Sequence, residues 1–368
     1  MLTSVHTAYD VRIYEREAKT LAAVGYAVTI VAPHERSEHT GDVQVKAVGL
    51  PQNRMGRMFR TVWEVYEAAR AVKADIYHFH DPELIPVGIL LKLRGKCVIY
   101  DAHEDVPRDI LQKEWIHPLL RRIVAEGAAA LEAFASLVLD RTVAATPVIA
   151  AKFPPRKTTA IQNFASLHIE HELQDLPYQQ RDNRAVYTGG IGLHRGAREM
   201  VLAMSMVADE LTPRLSLAGK FDPPELEDEL RALPGFENTD VCHWLSRKEV
   251  CDLLGRARLG LVLYDRSPAH LDSQPNKLFE YMSAGIPVIA SDFALWREIV
   301  VGTGCGLLVD PLEPKAIGRA IEWIFRHPAE SEEMGRRGAA AVQAKFNWGS
   351  EARKLVDLYS DLTNRLMQ

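Results

Sequence analysis

Short apolar runs recur along the chain, each followed by a loop and then by a segment with apolar residues at helical spacing. That alternation predicts parallel sheets covered by helices, an α/β fold. In the first half the pattern predicts strands over 27–31, 43–48, 75–80, 96–101, 137–140 and 158–161, with helices over 11–24, 57–72, 82–93, 118–135 and 147–151. In the second half it predicts strands over 185–188, 214–218, 259–263, 287–290 and 306–309. Helices are expected there over 196–208, 224–232, 247–255, 277–284, 294–300 and 315–325. Leu355, Leu358, Leu362 and Leu366 fall at helical spacing near the end, so the chain is expected to close with a helix.

Between the two alternating blocks lies a polar stretch, Asn163 to Asn183, with Pro177 and few large apolar residues. Residues 164–183 read as a linker between an N-terminal domain, 1–163, and a C-terminal domain, 184–346. The 347–368 helix would be free to pack back on the N-terminal domain. Two domains also suit the length, since 368 residues exceed what one core usually serves. Apolar residues at 47% and charged residues at 25% exclude disorder and fibrous repeats as the main organisation.

Residues 1–165 carry 21 basic and 19 acidic side chains, and residues 166–368 carry 23 and 30. Neither half supplies the basic field that nucleic acid requires, so no nucleic-acid partner is expected. The four cysteines (Cys97, Cys242, Cys251, Cys305) are widely spaced and read as reduced thiols. The opening residues lack a basic and apolar leader, and no apolar run is long enough to span a bilayer. A cytoplasmic protein is the expectation, with the inner face of the plasma membrane as a second location.

In open α/β sheets ligands bind beyond the carboxyl ends of strands, which here are polar. One predicted strand ends in His78-Phe79-His80-Asp81-Pro82-Glu83 and the next in Asp101-Ala102-His103-Glu104-Asp105. In the second half Thr188-Gly189-Gly190-Ile191-Gly192-Leu193-His194-Arg195-Gly196 joins a strand to a helix. Two readings stay open for it: a plain turn, or a phosphate cradle built from backbone amides, a helix start and the Arg195 charge. Further on, Pro275 and Asn276 would open a helix, with Lys277 at its start, Glu280 one turn in and Gly285 closing it. A carboxylate there accepts hydrogen bonds from vicinal hydroxyls such as those of ribose. The alternative is an ordinary charge near a helix N-terminus.

Together these segments resemble the retaining glycosyltransferases of family GT4. The likeness rests on Gly189-Gly190 to Arg195-Gly196, on Lys277-Leu278-Phe279-Glu280-Tyr281-Met282 with Gly285 and Pro287, and on Gly304-Cys305-Gly306 to Asp310. The front half agrees through His6, Asp10, Arg12, Gly25 and Tyr100-Asp101-Ala102-His103-Glu104. The resemblance implies the GT-B fold, two Rossmann-like parallel-sheet domains facing across a cleft. It places the donor beside Gly189, Gly190, Arg195, Asn276, Lys277, Leu278 and Glu280, with His243 and Trp244 bordering the base. His103 would face the donor sugar, and Asp10, Arg12, His80, Asp81 and Glu104 would lie on the acceptor side. The family motif Glu-x7-Glu puts its first carboxylate at Asp272, where this chain has the shorter acid. The paired basic residues of many members fall on Gly190 and Arg195, so one charge is absent and Lys277 is expected to supply it.

The activity this resemblance implies is transfer of a sugar from a nucleotide-sugar, with UDP favoured, to an acceptor hydroxyl with retained anomeric configuration, in cell-envelope or exopolysaccharide assembly. No Asp-x-Asp pair is present, so no metal is expected at the diphosphate. Arg54, Met55, Arg57, Met58, Phe59, Arg60 and Trp63 combine arginines with apolar side chains. They read either as a helix lying on an anionic membrane that bears a lipid-linked saccharide acceptor, or as an ordinary half-buried helix. The competing functions are a non-catalytic nucleotide-sugar-binding partner subunit, a nucleotide-sugar 2-epimerase, and a metal hydrolase built on His78-x-His80.

Overall fold

The alternating pattern folds into two α/β units. A computed structural model describes residues 1–51, 53–113, 116–164, 176–271 and 273–368. One unit comprises Met1–Asn163 together with Trp348–Gln368, the other Phe164–Asn347.

In the first unit β1 (Val28–Pro33) pairs in parallel with β3 (Val43–Val48), and the short polar β2 (Glu38–Thr40) runs antiparallel on the edge of β3. A second group, β4 (Ile76–Phe79), β5 (Cys97–Ala102), β6 (Arg141–Ala144) and β7 (Thr158–Ala160), is wholly parallel. The first residues stitch the two groups together. Leu2 bridges both Val31 and Phe79, Thr3 N–H donates to the Val31 carbonyl at 3.0 Å and His80 N–H to the Leu2 carbonyl at 3.1 Å. The parallel strands therefore open their C-terminal ends on one edge. The closing helix, Trp348–Met367, buries Trp348, Leu355, Leu358 and Leu362 against Ile13, Leu21, Val28 and Ile30.

The second unit is one six-stranded parallel sheet in the order β10-β9-β8-β11-β12-β13. Its strands are β8 (Arg184–Thr188), β9 (Arg214–Ala218), β10 (Thr239–His243), β11 (Leu259–Val262), β12 (Val288–Ser291) and β13 (Gly306–Val309). Counted within the unit, that is the order of dinucleotide-binding sheets, with the strand order reversing between β8 and β11. Of the segment expected as a linker, residues 165–175 lie outside the described residues, whereas Phe164 and Tyr178 are buried in this unit's core.

Several elements depart from the sequence expectation, among them an additional helix, Val106–Gln112. The apolar run 137–140 is not a strand, because the helix Pro118–Val138 extends into it and the strand begins only at Arg141. Short apolar runs at helix ends carry no period that separates the two. β2 and β10 are additional edge strands, β10 with Asp240 paired to Arg184 and Arg214. The helix Pro328–Ala344 is also additional. Its buried face is Ser331, Gly335, Gly338 and Val342, a helical spacing of mostly small side chains. A Cβ on Gly335 would lie 2.0 Å from the Gly285 carbonyl oxygen, so the close approach requires glycine.

The closing helix is bound to the first unit chiefly by its leucines, and Leu355 has no exposed surface. Leu355→Ala is expected to destabilise that unit by about 2–4 kcal/mol, measured as a lower urea midpoint at an unchanged slope.

Candidate active site

In the second unit a pocket of about 410 Å³ opens at the switch point, where the loops after β8 and β9 meet the start of the helix Asn276–Ser283. Thr188, Gly189, Gly219, Trp244, Asn276, Lys277 and Glu280 are among its walls. Tyr281 fixes this junction. Its ring lies over Gly260 on β11, where a Cβ would sit 2.1 Å away, and its hydroxyl accepts from Thr188 N–H at 2.8 Å. From the other side, Trp296 Nε1–H donates to the Ser273 carbonyl at 2.7 Å and anchors the approach to the helix. Gly219 permits the β8 and β9 loops to meet, because a Cβ there would lie 1.9 Å from the Gly189 carbonyl oxygen.

Lys277 is buried and its Nζ has no hydrogen-bond partner among the described residues. The amine lies 3.5 Å from the centre of the Tyr187 ring. Burial, and then repulsion from Arg195, push its pKa well below the ordinary lysine value. Arg195 donates from Nη1 to the Gly190 carbonyl at 3.1 Å, an oxygen that also accepts from the Tyr187 hydroxyl at 2.7 Å. A Cβ on Gly190 would stand 2.5 Å from Arg195 Nη1. Glycine at 190 thus leaves the space that the Arg195 guanidinium fills.

Gly189, Asn276, Glu280 and Trp244 line the pocket as the sequence placed them beside a ligand, and His243 lines an adjoining recess with Trp244. Leu278 is a correction: its side chain is wholly buried in the apolar core, since one turn of helix directs Lys277 and Glu280 but not Leu278 toward the pocket. Asp272 lies outside the described residues. Sequence reasoning missed Tyr187, Tyr264 and Tyr281, which read as apolar filling of a strand and a helix and carried no separate signal.

In the first unit the residues at the C-terminal strand edge divide into two groups. Asp10, Asp81, His103 and Glu104 lie at that edge, joined by His6, which the sequence reading used only as part of a motif. His6 Nε2 is 3.0 Å from His103 Nε2 and 3.4 Å from Asp81 Oδ1. Arg12 and His80 differ, for both side chains are interior. Arg12 donates to both Asp101 oxygens, at 2.9 and 3.0 Å, and lies 3.2 Å from Glu17. Burial opposes ionisation of Asp101, but the Arg12 guanidinium holds its carboxyl well below the usual range. Burial and the Asp101 charge push Glu17 well above it. His78 and His80 stack within this network, and burial lowers the pKa of both.

Two such units, each with polar groups gathered at the C-terminal ends of parallel strands, define a GT-B protein. Residues 11–164 match the family described as Glycosyltransferase Family 4, and residues 182–327 match Glycosyl transferases group 1. The D-rhamnosyltransferase WbpZ of Pseudomonas aeruginosa is 30% identical over 305 residues, which are 75% of this chain and 71% of that protein. The chain belongs to glycosyltransferase family 4 and is a glycosyltransferase. The fold agrees with that of sucrose-phosphate synthase from Thermosynechococcus elongatus, with a TM-score of 0.73 at 20% identity over 95% of this chain and 92% of that one. It agrees too with Anabaena Alr3699/HepE in complex with UDP-glucose, with a TM-score of 0.71 at 12% identity over 98% of both chains.

Below the lowered pKa of Lys277, folding must bury an unpaired ammonium, a penalty that vanishes only above the ordinary lysine value. Lys277→Met is therefore expected to stabilise the second unit, more at pH 6 than at pH 9, as measured by urea unfolding at the two values.

Proposed function

We propose that the chain transfers a sugar from a nucleotide-sugar, with UDP favoured, to a hydroxyl of a saccharide or lipid-linked acceptor, with retention and in cell-envelope polysaccharide assembly. One observation carries this reading: a buried amine with no hydrogen-bond partner among the described residues, in a pocket that also presents Glu280 and a helix start. A lysine held in that state is completed by an anion. A diphosphate supplies one, and the adjoining pentose supplies the vicinal hydroxyls that Glu280 accepts. The UDP-glucose bound in HepE and the sugar transferred by WbpZ support a nucleotide-sugar as the donor.

As the bond between the anomeric carbon and the diphosphate breaks, negative charge grows on the leaving group. The amides that open the 276–283 helix, with Lys277 and Arg195, stabilise it from fixed positions. In this scheme the diphosphate needs no metal. The acceptor hydroxyl attacks on the face the leaving group vacates, and the β-phosphate takes its proton. His103 and Asp272 are assigned to the sugar, and His243 and Trp244 to the base.

Met55, Phe59 and Trp63 expose 64, 67 and 58% of their surface on the helical stretch 54–63, the face proposed to meet a membrane. Arg57 and Arg60 on that stretch pair with Glu83 and Glu64 at 3.1 and 2.8 Å, so insertion of the apolar side chains is assigned the larger share of binding.

Among UDP, GDP, ADP and dTDP, UDP is expected to raise the melting temperature most, and Glu280→Ala to weaken UDP roughly 10- to 100-fold by calorimetry. An unchanged affinity in that variant overturns the assignment of the pocket. Phe59→Asp is expected to abolish co-sedimentation with anionic phosphatidylglycerol vesicles while leaving UDP affinity intact.

A further inference from the structure

We propose that the C-terminal strand edge of the first unit carries a site for one divalent cation of the zinc and cobalt class, held by His6 Nε2, His103 Nε2 and Asp81 Oδ1. The three atoms come from three separate loops and lie within 4.8 Å of one another. The two nitrogens are 3.0 Å apart and His6 Nε2 is 3.4 Å from Asp81 Oδ1. Ligands about 2.0–2.1 Å from a tetrahedral ion stand roughly 3.3 Å from each other, close to the two distances that His6 Nε2 makes. A proton on His6 Nε2 serves either His103 or Asp81, but a cation serves all three at once.

The surroundings orient two of these groups, Asp81 and His6, as outer-shell groups orient metal ligands, whereas His103 Nδ1 is buried with no hydrogen-bond partner among the described residues. Asp81 is buried, and its Oδ2 is taken by Thr3 Oγ1–H at 2.8 Å and Ser4 N–H at 2.6 Å, with longer contacts from Ser4 Oγ and Val5 N at 3.3 Å. Oδ1 is left facing His6. On the far side of the His6 ring, Nδ1 lies 3.5 Å from Asp10 Oδ2, and Asp10 Oδ1 is in turn fixed by the amides of Arg12 and Ile13 at 2.8 and 3.0 Å. A carboxylate behind a histidine, leaving the opposite nitrogen free, is the usual support of a ligating imidazole. His6 and His103 are partly exposed, so a cation can enter and a fourth position stays open to water.

The other cluster of similar composition, Glu17, His78, His80 and Asp101, carries no such inference. It is fully buried, and the Arg12 guanidinium already bonds both Asp101 oxygens. The chemistry of the proposed site also sets its selectivity. Two imidazoles and one carboxylate favour Zn²⁺, Co²⁺ and Ni²⁺ over the oxygen-seeking Mg²⁺ and Ca²⁺.

The test uses the full chain, freed of metal by a chelator and without nucleotide, so that its outcome is separate from that of the transferase reading. Titration with Co²⁺ is expected to give one equivalent bound, with the visible absorption of a four-coordinate site, displaced by Zn²⁺ and unaffected by millimolar Mg²⁺ or Ca²⁺. His6→Gln and His103→Gln are each expected to weaken binding at least tenfold with unchanged circular dichroism, and His39→Gln, an exposed histidine elsewhere, to leave it as it was. Absence of stoichiometric Co²⁺ binding overturns the proposal. So does parent-like affinity in both ligand variants, or an equal loss in the His39 variant. Inhibition of sugar transfer by Zn²⁺ would follow only where His103 also serves the sugar, as proposed above.

Discussion

The hydroxyl of Tyr281 receives the last amide of β8, and the pocket of the second unit depends on that bond. A strand end and a helix start are brought together by one phenol, whose ring is admitted by the bare Cα of Gly260. Because the bond ends at Thr188, the glycines just beyond it are held against Lys277. The same helix is braced from behind, where Gly335 allows the 328–344 helix to approach the Gly285 carbonyl. The pocket is thus a product of contacts between glycines and aromatic rings more than of the charged groups that line it.

The two units treat buried charge in opposite ways. In the first, Arg12 neutralises Asp101 while Glu17 and two histidines are held toward their neutral forms, so the interior is close to internally balanced. In the second, Lys277 lies against an aromatic ring with no hydrogen-bond partner for its amine among the described residues and with Arg195 adding to its repulsion. That contrast separates a network balanced within the fold from a residue left without such balance, although both are buried and both are polar.

Much of this was legible in the order of residues. Runs of β-branched and apolar residues located nearly every interior strand, and 43–48, 214–218 and 306–309 coincide with the folded ones. That Gly189, Lys277 and Glu280 gather at one pocket was legible because strand ends and helix starts announce themselves through glycine, proline and asparagine. The 328–344 helix was not, since its inward face is serine and glycine and offers no hydrophobic period. Arg12 and His80 were assigned to the acceptor side by the family resemblance, and the structure places both side chains in the interior. Two-residue alternation sends His78 and His80 to one side of β4, and here that side is the interior. Leu278 was drawn to the ligand by its neighbours, though a helix cannot turn three successive side chains the same way.

The exchange between Gly190 and Arg195 bears on how such proteins are compared. A guanidinium comes to the same carbonyl from five residues downstream, through a gap that exists only because position 190 has no side chain. Read along the sequence, position 190 carries no charge of its own; in space the side chain of Arg195 lies back over it.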